Sequence, residues 1–438
     1  MNPDEFYRRR KALMRLMGPN SIAIIPAAPQ LIRNNGVHYS YRQNSDFYYL
    51  TGFNEPEAIA VLSPGKDVEY TLFCRNRDPA KAIWYGDIAG TQGAVRQFGA
   101  DAAFSIEEID KKLLKMLKQS KRLYYSLGYD VSLDLQLGEW LNTLRKKIRS
   151  GMYIPNEIHL LDHHLHELRL IKSSNEIQAM RTAANISAQA HKHLMQKCHP
   201  GPNEYEVEDA FVHECMRNGA RNCAYQPIIG SGKNSCVLHY ETNNDILNDG
   251  DMVLIDAGCE YDNYASDITR TFPINGHFNS QQTELYELVL EAQTAALKQL
   301  RPGNTWQDIH KAALQIITKG LLHLGVFKGT TKSLTKLIKS KRYKPFYMHR
   351  IGHWLGMDVH DVGNYKQDDN KFRQFKPYMC LTVEPGIYIA QDAMEAEKHW
   401  RGMGVRIEDD VVITADGYEI LSVNVPKTVK DIEALMND

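Results

Sequence analysis

The 438 residues are 43% hydrophobic, enough to bury large cores and to fill two or three domains. Lys and Arg total 52 against 53 Asp and Glu, and the net charge of −1 gives no electrostatic case for nucleic acid or an anionic membrane as partner. Seven scattered cysteines without a CxxC pair exclude a disulfide framework and suit a reduced cytoplasmic protein, and no apolar run is long enough for a transmembrane helix.

In chain order, residues 4–17 predict a helix. Its basic run Tyr7-Arg8-Arg9-Arg10-Lys11 reads as a solvated face rather than a targeting segment, because Asp4 and Glu5 accompany it and no signal-peptide core follows. Strands are expected over 21–25, 46–51, 57–62, 69–74 and 122–126, and helices over 106–118 and 132–148. That mixture describes an α/β N-terminal domain with its own sheet, residues 1–165. Gly151 and Pro155 open a connecting segment that ends near Ser173-Ser174. A second domain, 172–438, starts with a helix over 174–196, with Ser174 as the candidate cap, and another over 203–218. Strands follow to 271. Helices over 281–300 and 305–324 come next, and strands return at 379–389 and 405–414. Two helices then strands, twice over, suggest a pseudo-duplicated second half from the order of elements alone.

The chemistry concentrates in that half. Asp251-Met252-Val253-Leu254-Ile255-Asp256-Ala257-Gly258 is an apolar strand ending on a carboxylate. Tyr264-Ala265-Ser266-Asp267-Ile268-Thr269-Arg270-Thr271-Phe272 follows; as a strand it places Asp267, Thr269 and Thr271 on one face. If the two runs pair antiparallel, Asp256 and Asp267 point into the same space. Buried carboxylates need a cation, a metal, or a role as turn or capping residues. Leu381-Thr382-Val383-Glu384-Pro385-Gly386 ends a further apolar run on a carboxylate, and Gly404-Val405-Arg406-Ile407-Glu408-Asp409 places Arg406 and Glu408 on one strand face. Met348-His349-Arg350-Ile351-Gly352-His353 adds His353. Taken singly, each of these residues reads as a cap or an ion-pair partner. Together, four carboxylates and one imidazole form an oxygen-rich set suited to two divalent cations, with Mn(II) preferred over a structural zinc. Two such ions about 3.5–4 Å apart share a water, lower its pKa and deliver hydroxide to a carbonyl.

Asp256, Asp267, His353, Glu384 and Glu408, in this order and context, resemble the ligands of the pita-bread metallopeptidases, which include methionine aminopeptidase, prolidase and aminopeptidase P. In the first half, Tyr41-Arg42-Gln43-Asn44-Ser45-Asp46-Phe47-Tyr48-Tyr49-Leu50-Thr51-Gly52-Phe53, Arg75-Asn76-Arg77-Asp78 and Trp84-Tyr85-Gly86 resemble the N-terminal domain of aminopeptidase P. The resemblance spans nearly the whole chain. It implies an α/β N-terminal domain before an α+β pita-bread catalytic domain. The implied activity is removal of an N-terminal residue that precedes proline, by a homodimer or homotetramer holding two divalent ions. Proline preference rests on the resemblance alone.

The resemblance also implies roles. His239 and His360 would hydrogen-bond the substrate carbonyl and the tetrahedral intermediate. His349 would line the substrate pocket. Glu384 would pass a proton from the attacking water to the leaving nitrogen. Arg406 would steady the ligand carboxylates. Arg350 departs from the family pattern, in which glycine often follows the first histidine. His163, His164 and His166 read as solvated linker residues, and His191 and His193 lie on opposite sides of a helix. For Trp84 and Tyr85 the family's oligomers suggest reach into a neighbouring subunit's active site, whereas the sequence alone favours ordinary packing. Prolidase is the nearest rival. A pita-bread protein that only binds, a creatinase-like metal-free hydrolase and a regulatory oligomer are the others, and the intact ligand set argues against the first two of these.

Overall fold

The computed structural model describes residues 2–118, 120–147, 149, 154–327 and 333–438. The chain divides into two compact units, Met1–Arg169 and Leu170–Asp438.

The first unit is built on a six-stranded mixed sheet, in the order Ala102–Ser105, Tyr70–Cys74, Ile59–Leu62, Ser21–Pro26, Arg122–Tyr124, Glu157–His159. Its inner strands run antiparallel and its outer ones parallel. Ile22, Ile24, Val61, Phe73, Leu123, Leu113 and Trp140 share one core, built on one face of the sheet.

The expected strand over 46–51 is instead a helix, Ser45–Thr51. Its aromatic run favours a strand, but the termini overrule that preference. The Asn44 side chain accepts from the Phe47 N–H at 2.9 Å, and Gly52 closes the helix at φ 66°. A Cβ on Gly52 would lie 2.5 Å from the Phe6 ring.

The N-terminal helix, Pro3–Met17, is solvated along only part of its basic run, at Tyr7 and Arg8. Arg9 and Arg10 are buried, and their guanidinium groups donate to the Tyr49 and Leu50 carbonyls at 3.2 and 2.8 Å, satisfying the C-terminal end of helix Ser45–Thr51.

Nor is the stretch after Pro155 a plain connector. Glu157–His159 adds an edge strand to the sheet, and Asp162–Leu170 is helical. The expected boundary at Gly151 and the end of the helix expected to reach Ile148 lie outside the described residues. His163, His164 and His166 therefore sit on a helix. His164 lies 5.7 Å from the Tyr124 ring, and His166 pairs with Asp46 at 3.2 Å. Trp84 and Tyr85 are 82% and 87% exposed, so they do not pack as expected.

The second unit repeats the order of two helices then strands. Ser174–Lys197 and Glu204–Arg217 lead to the strands Ile228–Ser231, Met252–Asp256 and Thr269–Pro273, paired antiparallel in that order. Ser173, rather than Ser174, caps the first helix, in a capping box with Glu176. Helices Ser280–Leu297 and Trp306–His323 lead to Cys380–Val383 and Gly386–Ile389, which pair with Asp409–Ile413 and Met403–Arg406. These four strands are one long hairpin, broken on both arms at 384–385 and 407–408. One continuous core fills the unit.

Candidate metal centre

Asp256 ends its strand opposite Thr269. Asp267 is not on the neighbouring strand but immediately before it. Between the two aspartates the chain makes a side hairpin, Cys259–Tyr261 with Tyr264–Ala265, turning on Asp262 and Asn263 at φ 51° and 64°. Gly258 makes this excursion possible, since a Cβ there would meet the Ser266 carbonyl at 1.8 Å. Both carboxylates then face one hydroxyl: the Tyr225 oxygen lies 2.6 Å from Asp256 Oδ1 and 2.6 Å from Asp267 Oδ1. Tyr225 went unnoticed in the sequence because a lone tyrosine before Gln226-Pro227 carries no periodic signal.

Glu384 and Glu408 occupy the two breaks in the long hairpin. There the chain leaves strand geometry and turns a side chain inward. Arg406 and Glu408 therefore lie on different sides of a break rather than within one strand, yet both reach Thr269. The Thr269 hydroxyl donates to Glu408 Oε2 at 2.7 Å and accepts from Arg406 Nε at 3.1 Å. Arg406 also donates to Asp256 Oδ2 at 2.6 Å and to the Tyr388 hydroxyl at 2.9 Å. The loop before Trp354 pairs with the strand Cys380–Val383 through the Thr382 N–H to the His353 carbonyl at 2.9 Å, and the Glu384 N–H reaches the Ile351 carbonyl at 2.8 Å. His353 Nε2 then lies 3.2 Å from Asp267 Oδ2 and 3.7 Å from Glu384 Oε1. One ligand atom each from Asp267, His353 and Glu408 falls within 4.8 Å of the others.

Three consecutive acids divide their work. Glu408 faces the site. Asp409 pairs with Arg270 and Lys427 at 2.8 and 2.6 Å. Asp410 accepts the Asp267 N–H on both oxygens, at 3.0 and 3.2 Å.

The histidines gather on one side. His349 Nε2 is 2.8 Å from the Tyr388 hydroxyl, and its Nδ1 is 3.7 Å from Glu384 Oε2. Burial, reinforced by Arg406, lowers its pKa to about 3, so the ring is neutral. The His360 ring lies 4.2 Å from that of His353. His239 is exposed and close enough to lower the pKa values of both His349 and His360. Arg350 is exposed, with its guanidinium 5.7 Å from the Tyr365 ring, so the rim beside His349 carries a cation.

The electrostatics fit a cationic occupant. Burial raises the pKa of Glu384 to about 7, against the pull of His353 and Arg406. Burial and then Asp267, Glu384 and Asp256 push Glu408 well above the carboxylate range. Burial and Asp267 raise Asp256 as well, despite Arg406. Burial opposes the charge on His353, but Asp267 and Glu384 outweigh it and raise its pKa to about 9. Arg406 alone does not neutralise this set. The donors are carboxylate oxygens and one imidazole with no thiolate, which suits hard or borderline divalent ions. A cation held there would compete with protons for Glu384 and His353, whose pKa values burial and neighbouring carboxylates respectively raise. Its apparent affinity is expected to rise from about pH 6 to about pH 9, with protons released on binding. Calorimetry in buffers of different ionisation enthalpy measures this, and a pH-independent affinity would contradict it.

A second acidic group, Asp46, Asp162 and His166, lies in the first unit. There Arg169 already holds Asp46 at 2.6 Å.

Residues 178–415 match metallopeptidase family M24, and residues 6–124 match the aminopeptidase P N-terminal domain. The chain is 45% identical to the Xaa-Pro aminopeptidase of Escherichia coli K12, with 99% of this chain and 97% of the other covered. Among solved structures it resembles an aminopeptidase of Pseudomonas aeruginosa at 52% identity and TM-score 0.97, covering 100% of this chain and 98% of that one. It also resembles zinc-substituted E. coli aminopeptidase P in complex with product, at 44% identity and TM-score 0.96, with 100% and 98% covered.

Proposed function

The chain belongs to metallopeptidase family M24, with a pita-bread catalytic unit behind an aminopeptidase P N-terminal domain, and from that membership we propose that it removes the first residue from peptides with proline in second place. The observation that carries the metallopeptidase reading is the convergence of Asp256, Asp267, His353, Glu384 and Glu408 on one buried spot. Relatives named as aminopeptidases, matched end to end, favour this activity over that of a dipeptide-restricted prolidase.

Asp256, Asp267, His353, Glu384 and Glu408 would hold two divalent ions, and the oxygen-rich donor set favours Mn(II). When bound, such ions supply Lewis acidity and a nucleophile available at neutral pH. The protein's own groups do the rest. Arg406 and Tyr225 hold the Asp256 carboxylate in place. His360 and His239 donate to the oxygen that gains charge as the carbonyl before proline becomes tetrahedral. His349, neutral and hydrogen-bonded to Tyr388, lines the pocket for the substrate. Glu384 Oε accepts a proton from the attacking water and returns it to the proline nitrogen as the bond breaks.

Exposed Ile83, Trp84 and Tyr85 support a homo-oligomer, a dimer or tetramer, that covers them. Seven free cysteines favour a reducing, cytoplasmic setting. Among the described residues no helix is long and apolar enough to cross a membrane.

Counting metal tests the ion number. Protein stripped and reloaded with Mn(II) is expected to retain two ions per chain, and Asp256→Asn is expected to retain fewer. One ion per chain in the parent protein would overturn the two-ion reading.

A further inference from the structure

Lys172 and Asp361 form a buried ion pair beside the histidine side of the site, and neither is one of the five ligands. Lys172 Nζ lies 2.8 Å from Asp361 Oδ2, and both side chains are 1% exposed. Such a pair is costly to desolvate, and well-packed apolar residues often replace one without loss of stability. Stability alone therefore does not account for the pair.

Asp361 directly follows His360, and the loop closes around its carboxylate. Asp361 Oδ1 accepts the Asp358 N–H at 3.4 Å, and the Asp361 N–H donates to the Trp354 carbonyl at 2.9 Å. The Gly356 N–H donates to the Asp358 carbonyl at 3.1 Å. A Cβ on Gly356 would lie 2.1 Å from Asp361 Oδ2 and 2.9 Å from Lys172 Cε, so the pair packs directly on the loop backbone. Lys172 is itself pinned, its N–H donating to the Tyr378 carbonyl at 2.9 Å. The His360 imidazole, by contrast, is exposed and makes no side-chain hydrogen bond among the described residues; its ring contact is with His353. Its position is therefore set by its backbone, and that backbone is organised on Asp361.

We propose that Lys172, acting through Asp361, is a positioning residue for His360: the buried pair fixes the loop so that the imidazole reaches the oxygen of the scissile carbonyl. This rests on the role given to His360 above.

The test is a mutant cycle on metal-loaded protein, with kcat and KM read on an Xaa-Pro-Yaa peptide and bound metal counted. The double substitution Lys172→Met/Asp361→Leu exchanges the pair for apolar bulk. It is expected to keep its metal, hold KM within about threefold and lose about 10- to 100-fold in kcat, the range seen when supporting groups are removed. His360→Ala is expected to lower kcat by itself, and adding the double substitution to it should cost no more than about twofold further. If the double variant does not fold, Lys172→Arg, which keeps the charge but moves the head group, takes its place in the same cycle. Unchanged kcat in the pair variant beside a damaged His360→Ala would overturn the positioning role alone. Full multiplication of the two losses would place the pair's effect elsewhere. An undamaged His360→Ala would remove the histidine's assigned role, and this inference with it.

Discussion

Glu384→Gln is expected to lower kcat on an Xaa-Pro-Yaa peptide by about 10³- to 10⁴-fold, and saturating Mn(II) is not expected to restore it. The substitution keeps the shape of the side chain but removes both its charge and its basicity. Glu384 occupies the break in the long hairpin, its N–H tied to the Ile351 carbonyl at 2.8 Å and its two oxygens each 3.7 Å from a histidine nitrogen. Among the described ligand carboxylates, Asp267 reaches His353 only, whereas Glu384 faces both histidines. Asp256 is engaged by Arg406 and Tyr225, and Glu408 accepts from Thr269. A neighbour therefore cannot assume the proton transfer. Stopped assays at several metal concentrations separate the two losses: a metal-binding defect alone recovers at high Mn(II), whereas loss of the proton carrier does not. A kcat within tenfold of the parent at saturating metal would contradict the assignment.

The second large effect concerns stability. Arg270→Met is expected to destabilise the metal-free catalytic unit by about 3–5 kcal/mol, because it removes one partner of a buried charge pair. Arg270 is 0% exposed and fully engaged. It donates to the carbonyls of Thr269, Glu408, Pro426 and Val425 and to Asp409 Oδ1. Without it, four carbonyls lose a donor and Asp409 depends on Lys427 alone among its cations. Burial works against charge on Asp409, but Arg270 and Lys427 hold its pKa well below the usual 3.8. A depressed folded-state pKa contributes stability above the unfolded value, and that contribution is lost as pH falls toward the folded one. The gap between parent and variant should therefore be full near neutrality and narrow below pH 3.8. Urea unfolding with chelator present measures it. A gap under about 1 kcal/mol at neutral pH would mean that Lys427 and relaxation suffice.

The carboxylates were legible because each interrupts an apolar run, where no solvated role is available. Asp256, Glu384 and Glu408 each stand at a strand's end or break, and that contrast survives in one dimension. The breaks themselves were not legible. Residues 379–389 and 405–414 read as continuous strands, and only pairing in three dimensions shows that Pro385 and Ile407 part the hairpin into two sheets. Partners carried no signal at all. Tyr225 and Lys172 act over long sequence separations through one atom each. The N-terminal errors share a cause. Helix Ser45–Thr51 is decided by Asn44 and Gly52 at its ends rather than by its aromatic body, and Arg9 and Arg10 are buried because that helix end needs donors.

The central claim is metal-dependent cleavage before proline in peptides longer than two residues. It is tested most directly by supplying metal-stripped protein, with and without Mn(II), with an Xaa-Pro dipeptide and a longer Xaa-Pro-Yaa peptide. Release of the first residue from the longer peptide only when Mn(II) is present is the predicted result. Cleavage of the dipeptide alone, or of neither substrate with any divalent ion, would contradict it.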